Sequence, residues 1–202
     1  MLLVVSLATQ RDGWVRVNVA CLTIHHLLQA ADCGGLELIT RILRGFAPLS
    51  DLDAASPPID ASPEHDDTAL MRASRRGHIE VAAALIRAGA TVDAQKRRSG
   101  ITALFLSCMH GHDAVASLLL GAQANVNLQR SNGASPLYIA CSKGHLPTVQ
   151  HLIHARADVD LAVANGAVPL QTACVEGHAG IMRELISGAP PTPRPPAFRH
   201  PD

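Results

Sequence analysis

The stretch "ACSKGH", residues 140–145, has three near copies: "ASRRGH" at 73–78, "SCMHGH" at 107–112 and "ACVEGH" at 173–178. Three of the four place a cysteine four residues before a histidine. Such a pair suits a metal site, a Cys/His catalytic pair or a structural repeat, and spacing separates these readings. The Gly-His pairs stand at 77–78, 111–112, 144–145 and 177–178, in steps of 34, 33 and 33 residues. The flanks repeat with them: "TALMRASRRGHIEVAAALIRAGATVDAQ", "TALFLSCMHGHDAVASLLLGAQANVNLQ", "SPLYIACSKGHLPTVQHLIHARADVDLA" and "VPLQTACVEGHAGIMRELISGAP". A fixed period of this length marks a solenoid.

Each unit carries its own helix signals. Thr68, Thr102 and Ser135 are hydroxyl residues placed to cap a helix start. Pro136 and Pro169 follow at the first helical position, where a missing N–H costs nothing. The first helix is expected to end at the Gly of Gly-His, which takes positive φ without a Cβ penalty. A second helix follows, with apolar residues at helical spacing: Val81, Leu85 and Ile86, then Val115, Leu118 and Leu119, then Val149, Leu152 and Ile153. Pro147 falls in the first turn of that helix, where proline is tolerated. A β-type turn at "VDAQ", "VNLQ" or "VDLA" leads onward.

These residues resemble the ankyrin-repeat family, in the T-P-L-H-x-A start, the Gly-His turn, the L-L pair and the V-N/V-D exit. The resemblance implies an all-α solenoid of ankyrin-type helix–turn–helix units joined by short β-turn or hairpin connections. Four units cover residues 68–189, and "LLQAADCGGLELITRIL" extends the pattern to a degenerate first repeat at 25–46, with Gly34-Gly35 in place of Gly-His. The family's histidine in T-P-L-H is replaced by Met71, Phe105, Tyr138 and Gln171.

Outside the units, residues 47–67 form an acidic Pro/Ser-rich insertion and residues 190–202 a Pro-rich tail of polyproline type. Residues 1–24 are expected either to fold back as a cap or to adjoin further repeats. The last helix asks the same question, since Ile181, Met182, Leu185 and Ile186 are followed only by that tail.

Composition agrees. About half the chain is apolar, yet it has one Trp, one Tyr and three Phe, so its core rests on Leu, Ile, Val and Ala. Lys plus Arg balances Asp plus Glu at 17 each, which gives no global field for nucleic acid. No apolar run reaches the ~20 residues that span a bilayer. The five cysteines do not read as a secreted disulfide framework, so an intracellular setting, cytoplasmic or nuclear, is expected.

Geometry disfavours the metal reading. A structural zinc site needs four ligands within ~2.3 Å of one ion. Equivalent residues of stacked units sit about 8–10 Å apart, so Cys108, Cys141 and Cys174 form a row and do not converge. Each cysteine then serves as a small buried hydrophobe, and each histidine braces its turn by hydrogen bonding. G-x-x-x-x-G-K, H-E-x-x-H and G-x-S-x-G are absent from the sequence, and no cofactor, metal or catalytic residue is expected. Asp66 and Asp67 are read as favouring the helix start beside them.

Solenoids bind partners on a continuous face of turns and first helices. By the resemblance, the contact positions are the two residues before each Gly-His and the turn tips. On the first helices these are Arg75 and Arg76, Met109 and His110, Ser142 and Lys143, and Val175 and Glu176; at the tips, Lys96, Arg97, Arg98, Arg130 and Asn132. Arg72 joins them because residues 68–98 hold seven bases (Arg72, Arg75, Arg76, Arg87, Lys96, Arg97, Arg98) against Glu80 and Asp93. Residues 47–67 hold six acids and no Lys or Arg. The basic group is read either as a dock for an acidic segment of a partner or as a surface met by water or by the chain's own insertion. Phe105 and Tyr138 are further apolar contacts on the same side, with Tyr138 either an anchor or a filler of the missing histidine's space. The expected function is a non-enzymatic, monomeric protein-binding scaffold or adaptor. The alternatives are a regulatory or targeting segment of a larger protein and a Cys/His metal or redox protein.

Overall fold

The structure is a computed structural model that describes residues 26–45, Asp60 and residues 67–188. The expected N-terminal cap, most of the 47–67 insertion and the Pro-rich tail lie outside the described residues. Those described form ten helices and no strand. They are α1 over 26–33, α2 Leu36–Gly45, α3 Ala69–Arg76, α4 Ile79–Arg87, α5 Ala103–His110, α6 Asp113–Gly121, α7 Pro136–Lys143, α8 Leu146–His154, α9 Pro169–Val175 and α10 Ala179–Gly188. Helices α3, α5, α7 and α9 pack in one row, and α2, α4, α6, α8 and α10 in a second.

The caps act as the sequence suggests. Thr68, Thr102 and Ser135 accept hydrogen bonds from the backbone N–H of Met71, Phe105 and Tyr138, at 3.2, 3.1 and 3.1 Å. Gly77, Gly111 and Gly144 end α3, α5 and α7 in the left-handed conformation. The core runs through the stack as rows of equivalent positions. Leu70, Leu104 and Leu137 form one row and Leu85, Leu119, Leu152 and Leu185 another, all buried. Each such burial is worth about 1.5–3 kcal/mol, and most of it needs a neighbouring unit. Ile86, Leu118 and Ile153 are only half-buried. Phe105, expected at the surface, is buried in the place of the family's histidine, as is Met71.

The joints between units repeat as well. His78 Nε2 lies 3.0 Å from the carbonyl oxygen of Asp32, and His112 Nε2 lies 2.9 Å from that of Arg75. A carbonyl only accepts, so Nε2 carries the proton. These histidines therefore bind the preceding unit, a role that bracing their own turn does not describe. The turn tips are hairpin-like, with Arg130 N donating to Ala134 O and Val163 N to Ala167 O, each at 3.0 Å. They are tied in series: Ser131 N donates to Ser99 O at 2.8 Å, and Ala164 N to Asn132 O at 3.0 Å.

Side chains close the same gaps. Asp93 accepts from Asn125 N at 3.0 Å, and Asn127 accepts from Asp158 N at 2.9 Å. Asp60 accepts from Thr91 N at 3.1 Å, so it occupies in its unit the place that Asp93 holds in the next. Asp60 thus belongs to a repeat exit.

Candidate protein-interaction surface

The residues before each Gly-His come from the last turn of a first helix, except Glu176, which stands just past α9 as its C-cap. In the final position stand Arg76, His110, Lys143 and Glu176, all exposed and one to each unit. Capping forces this. Each Gly has to sit at the helix end in left-handed conformation, so the residue before it occupies the same point of every unit. One position earlier, Arg75, Met109 and Ser142 are half-buried, whereas Val175 is 84% exposed. Arg97 and Arg98 are exposed at the first tip and Asn132 at the second.

The basic cluster is partly neutralised from within. Asp67 is buried immediately before the Thr68 cap and forms ion pairs with both Arg75 and Lys96. Arg72 Nη1 meets Asp32 Oδ2 at 2.9 Å, and Arg76 Nε lies 3.5 Å from Asp32 Oδ1. Burial alone pushes the Asp67 carboxyl upward, but the hydrogen bonds and charges of Lys96 and Arg75 outweigh it and hold it below the usual carboxylate range. Arg76 keeps a side chain 60% exposed, and a pair so wet contributes about 0–1 kcal/mol. Arg76 is thus the member of this group most open to a partner. Asp66 lies outside the described residues.

Arg130 places its guanidinium 5.7 Å from the centroid of the Phe105 ring. Tyr138 is half-buried and packs with Phe105, Ala134 and Val163. Both therefore lend part of their surface to the inter-unit joint and part to solvent. His110 stacks on His112 with ring centroids 6.1 Å apart. Desolvation, and then the charges of His112, Arg75, His145 and Arg76, hold its imidazole below the ordinary value.

The cysteines separate into two groups. Cys108 and Cys141 are buried, and burial pushes each thiol up to about 12. Cys174, expected to be buried with them, is exposed because no described unit packs beyond α9. Among the described residues, no group of three or more His, Cys, Asp or Glu side chains is placed to hold a metal ion. Nor is any helix among them long and apolar enough to cross a membrane.

The carboxylate of Asp32 was missed as part of this surface, and Asp67, read at the helix start and within the acidic insertion, was not assigned its two partners. Those partners could have been found from its place directly before a capping threonine, within reach of the helix end and of the neighbouring tip. Asp32 gives no local signal, since its partners lie 40 and 44 residues away.

The family model for ankyrin repeats (3 copies) matches residues 27–130 and 117–194. The chain is 32% identical over 110 residues to the ankyrin repeat and KH domain-containing protein mask-1 of Caenorhabditis elegans, covering 54% of this chain and 4% of that protein. It is 39% identical over 67 residues to the mitochondrial disaggregase of Bos taurus, covering 33% of this chain and 10% of that one.

Proposed function

This chain belongs to the ankyrin-repeat family, and on that premise we propose that it is a non-enzymatic scaffold or adaptor whose partner lies along the first helices and turn tips. The family's repeats are protein–protein interaction modules. The observation that carries the reading is the register of Arg76, His110, Lys143 and Glu176, one exposed residue per unit in a line across the stack. Arg76 and Lys143 are basic, His110 between them is held toward its neutral form, and Arg97 and Arg98 extend the positive character at the tip. An acidic segment of a partner, crossing the first three of these units and ending before Glu176, fits that order of charges. Met109, Ser142, Asn132, Tyr138 and Val175 supply neutral contacts beside it. Arg72, Arg75 and Lys96 hold the surface in shape through Asp32 and Asp67, while Arg130 frames it from above Phe105.

The test is a crosslinking pull-down from native extract with Arg76, Arg97, Arg98 and Lys143 reversed to Glu. Arg75 and Lys96 are left intact because their reversal would unpair Asp67. Loss of partners that the unaltered chain retains, with an unchanged circular dichroism spectrum, supports the reading. An unchanged partner set refutes it.

A second reading is that these units are the docking or regulatory segment of a larger protein. The share of its relatives that the chain matches, 4% and 10%, favours it. The same surface would then recruit a partner to whatever activity the larger protein carries.

A further inference from the structure

We infer that the row of Arg76, His110 and Lys143 takes up its acidic partner together with a proton, which His110 accepts, so that the contact tightens as the medium becomes acidic. The coupling presupposes the acidic segment proposed above and adds the condition under which that segment is held.

His110 ends α5 in the middle of the row and is exposed. One face of its ring is nonetheless closed. It stacks on His112, with ring centroids 6.1 Å apart and planes at 26°. His112 is held in place, because its Nε2 donates to the Arg75 carbonyl oxygen at 2.9 Å and its ring fills the space over Gly77. The glycine that follows His110 faces a second such ring: a Cβ built on Gly111 would lie 2.6 Å from His145 Nδ1. His110 therefore stands beside two imidazoles that the joints between units keep fixed.

The charges that act on it carry one sign. Helix α3 brings Arg75 and Arg76, and the starts of α6 and α8 bring His112 and His145, all of which oppose a proton on His110. Helix α7 brings Lys143 at the equivalent point of the next unit. The neighbouring acids are engaged elsewhere or face water. Asp67 pairs with Arg75 and Lys96, and Asp32 with Arg72 and Arg76. Asp113, in the first turn of α6, is exposed. Among the described residues, no carboxylate forms an ion pair with His110.

A closed ring face and like charges both favour the neutral imidazole, so the empty row has a neutral group between two cations. A partner's carboxylate brings what is missing there. It supplies opposite charge and a hydrogen-bond acceptor, and each favours the protonated ring. Linkage is reciprocal: the factor by which the partner raises proton affinity is the factor by which the proton raises partner affinity. The free ring titrates below its ordinary value of 6.5. The gain is therefore absent well above that value and complete once pH has fallen through the free-state pKa.

The test uses the full chain and, as probe, a rhodamine-labelled octa-aspartate peptide followed by fluorescence anisotropy at low ionic strength. From about pH 8 to about pH 5.5 its dissociation constant should fall about fivefold to tenfold, the effect of about one unit in the pKa of one group. His110→Gln, which keeps a polar side chain that does not titrate, loses most of that change. His110→Lys binds at the higher pH about as tightly as the unaltered chain does at the lower. In NMR titrations the His110 ring, assigned from its loss in His110→Gln, titrates below 6.5 in the free chain and higher with saturating peptide. Binding that is lost on reversing Arg76 and Lys143 to Glu but is indifferent to pH overturns the coupling and leaves the acidic-partner reading standing. A pH effect that survives His110→Gln in full overturns it by assigning the proton to another group. A free-chain His110 that titrates above 6.5 also overturns it, since an acid of the chain itself would then face the ring. Failure of the peptide to bind at either pH overturns both the coupling and the acidic-partner reading.

Discussion

His112 sits in a socket made by Gly77, with its Nε2 donating to the carbonyl oxygen of Arg75 at 2.9 Å. One side chain therefore ties α6 to the end of α3 in the preceding unit. Replacing it with alanine empties the socket and leaves the Arg75 carbonyl without that donor. His112→Ala is expected to cost about 1–3 kcal/mol, read as a lower urea midpoint. A change below a few tenths of a kcal/mol would show that the contact is incidental.

The Asp67 pair sets a pH dependence with a definite sign. The folded-state pKa lies below the ordinary value of 3.8. Its stabilisation is therefore complete above the unfolded value and is lost as pH falls from about 4 through the folded pKa. Asp67→Asn should be less stable than the unaltered chain by about 1.5–3 kcal/mol at pH 7. That gap should close in denaturation series taken toward pH 2–3. A gap that stays constant across the series would show that charge plays no part.

Thr148 is a polar residue in an apolar row. Its equivalents Val81, Val115 and Ile181 are buried, and Thr148 Oγ1 is buried with no hydrogen-bond partner. Thr148→Val keeps the shape and removes the stranded hydroxyl. A gain of about 1 kcal/mol is expected in urea unfolding. A loss would mean that the hydroxyl finds a partner in solution.

Thiol chemistry should follow burial. Cys33 and Cys174 are exposed, whereas Cys108 and Cys141 are buried with thiols pushed up to about 12. In the folded chain at pH 8, an alkylating reagent should label Cys33 and Cys174 first and reach Cys108 and Cys141 only on unfolding, as peptide mass spectrometry would record. Rapid labelling of Cys141 would contradict the packing of α7.

The regular parts of the fold were legible because they are local. Period, caps and glycine stops each need only a few adjacent residues, so Thr102, Gly111 and Pro136 could be assigned their roles from spacing alone. Contacts across units were harder. The histidine of Gly-His reads as part of its own turn, yet the ring at 112 belongs to the joint with Arg75. Asp32 meets Arg72 across 40 residues, a pairing that nothing in either segment announces. Cys174 follows the cysteine pattern faithfully and is nonetheless exposed, because burial there depends on a neighbour and not on the residue itself. The line of Arg76, His110, Lys143 and Glu176 was visible in the repeat register. Neutralisation by the chain's own insertion was one of the readings of the basic group, and Asp67 of that insertion pairs with Arg75 and Lys96; the part played by Asp32 was not visible.

Comparing Gly111→Ala with Gly177→Ala tests the stack most directly. The two glycines share a left-handed backbone, at φ +72° and +76°, so alanine costs each about 1–2 kcal/mol in backbone strain. Among the described residues, Gly111 faces the imidazole of His145 and Gly177 faces none. Gly111→Ala is expected to lose at least about 1 kcal/mol more than Gly177→Ala in urea unfolding, because the ring has to move from a packed site. Equal losses would contradict it, since they would show that successive units do not interlock through these histidines.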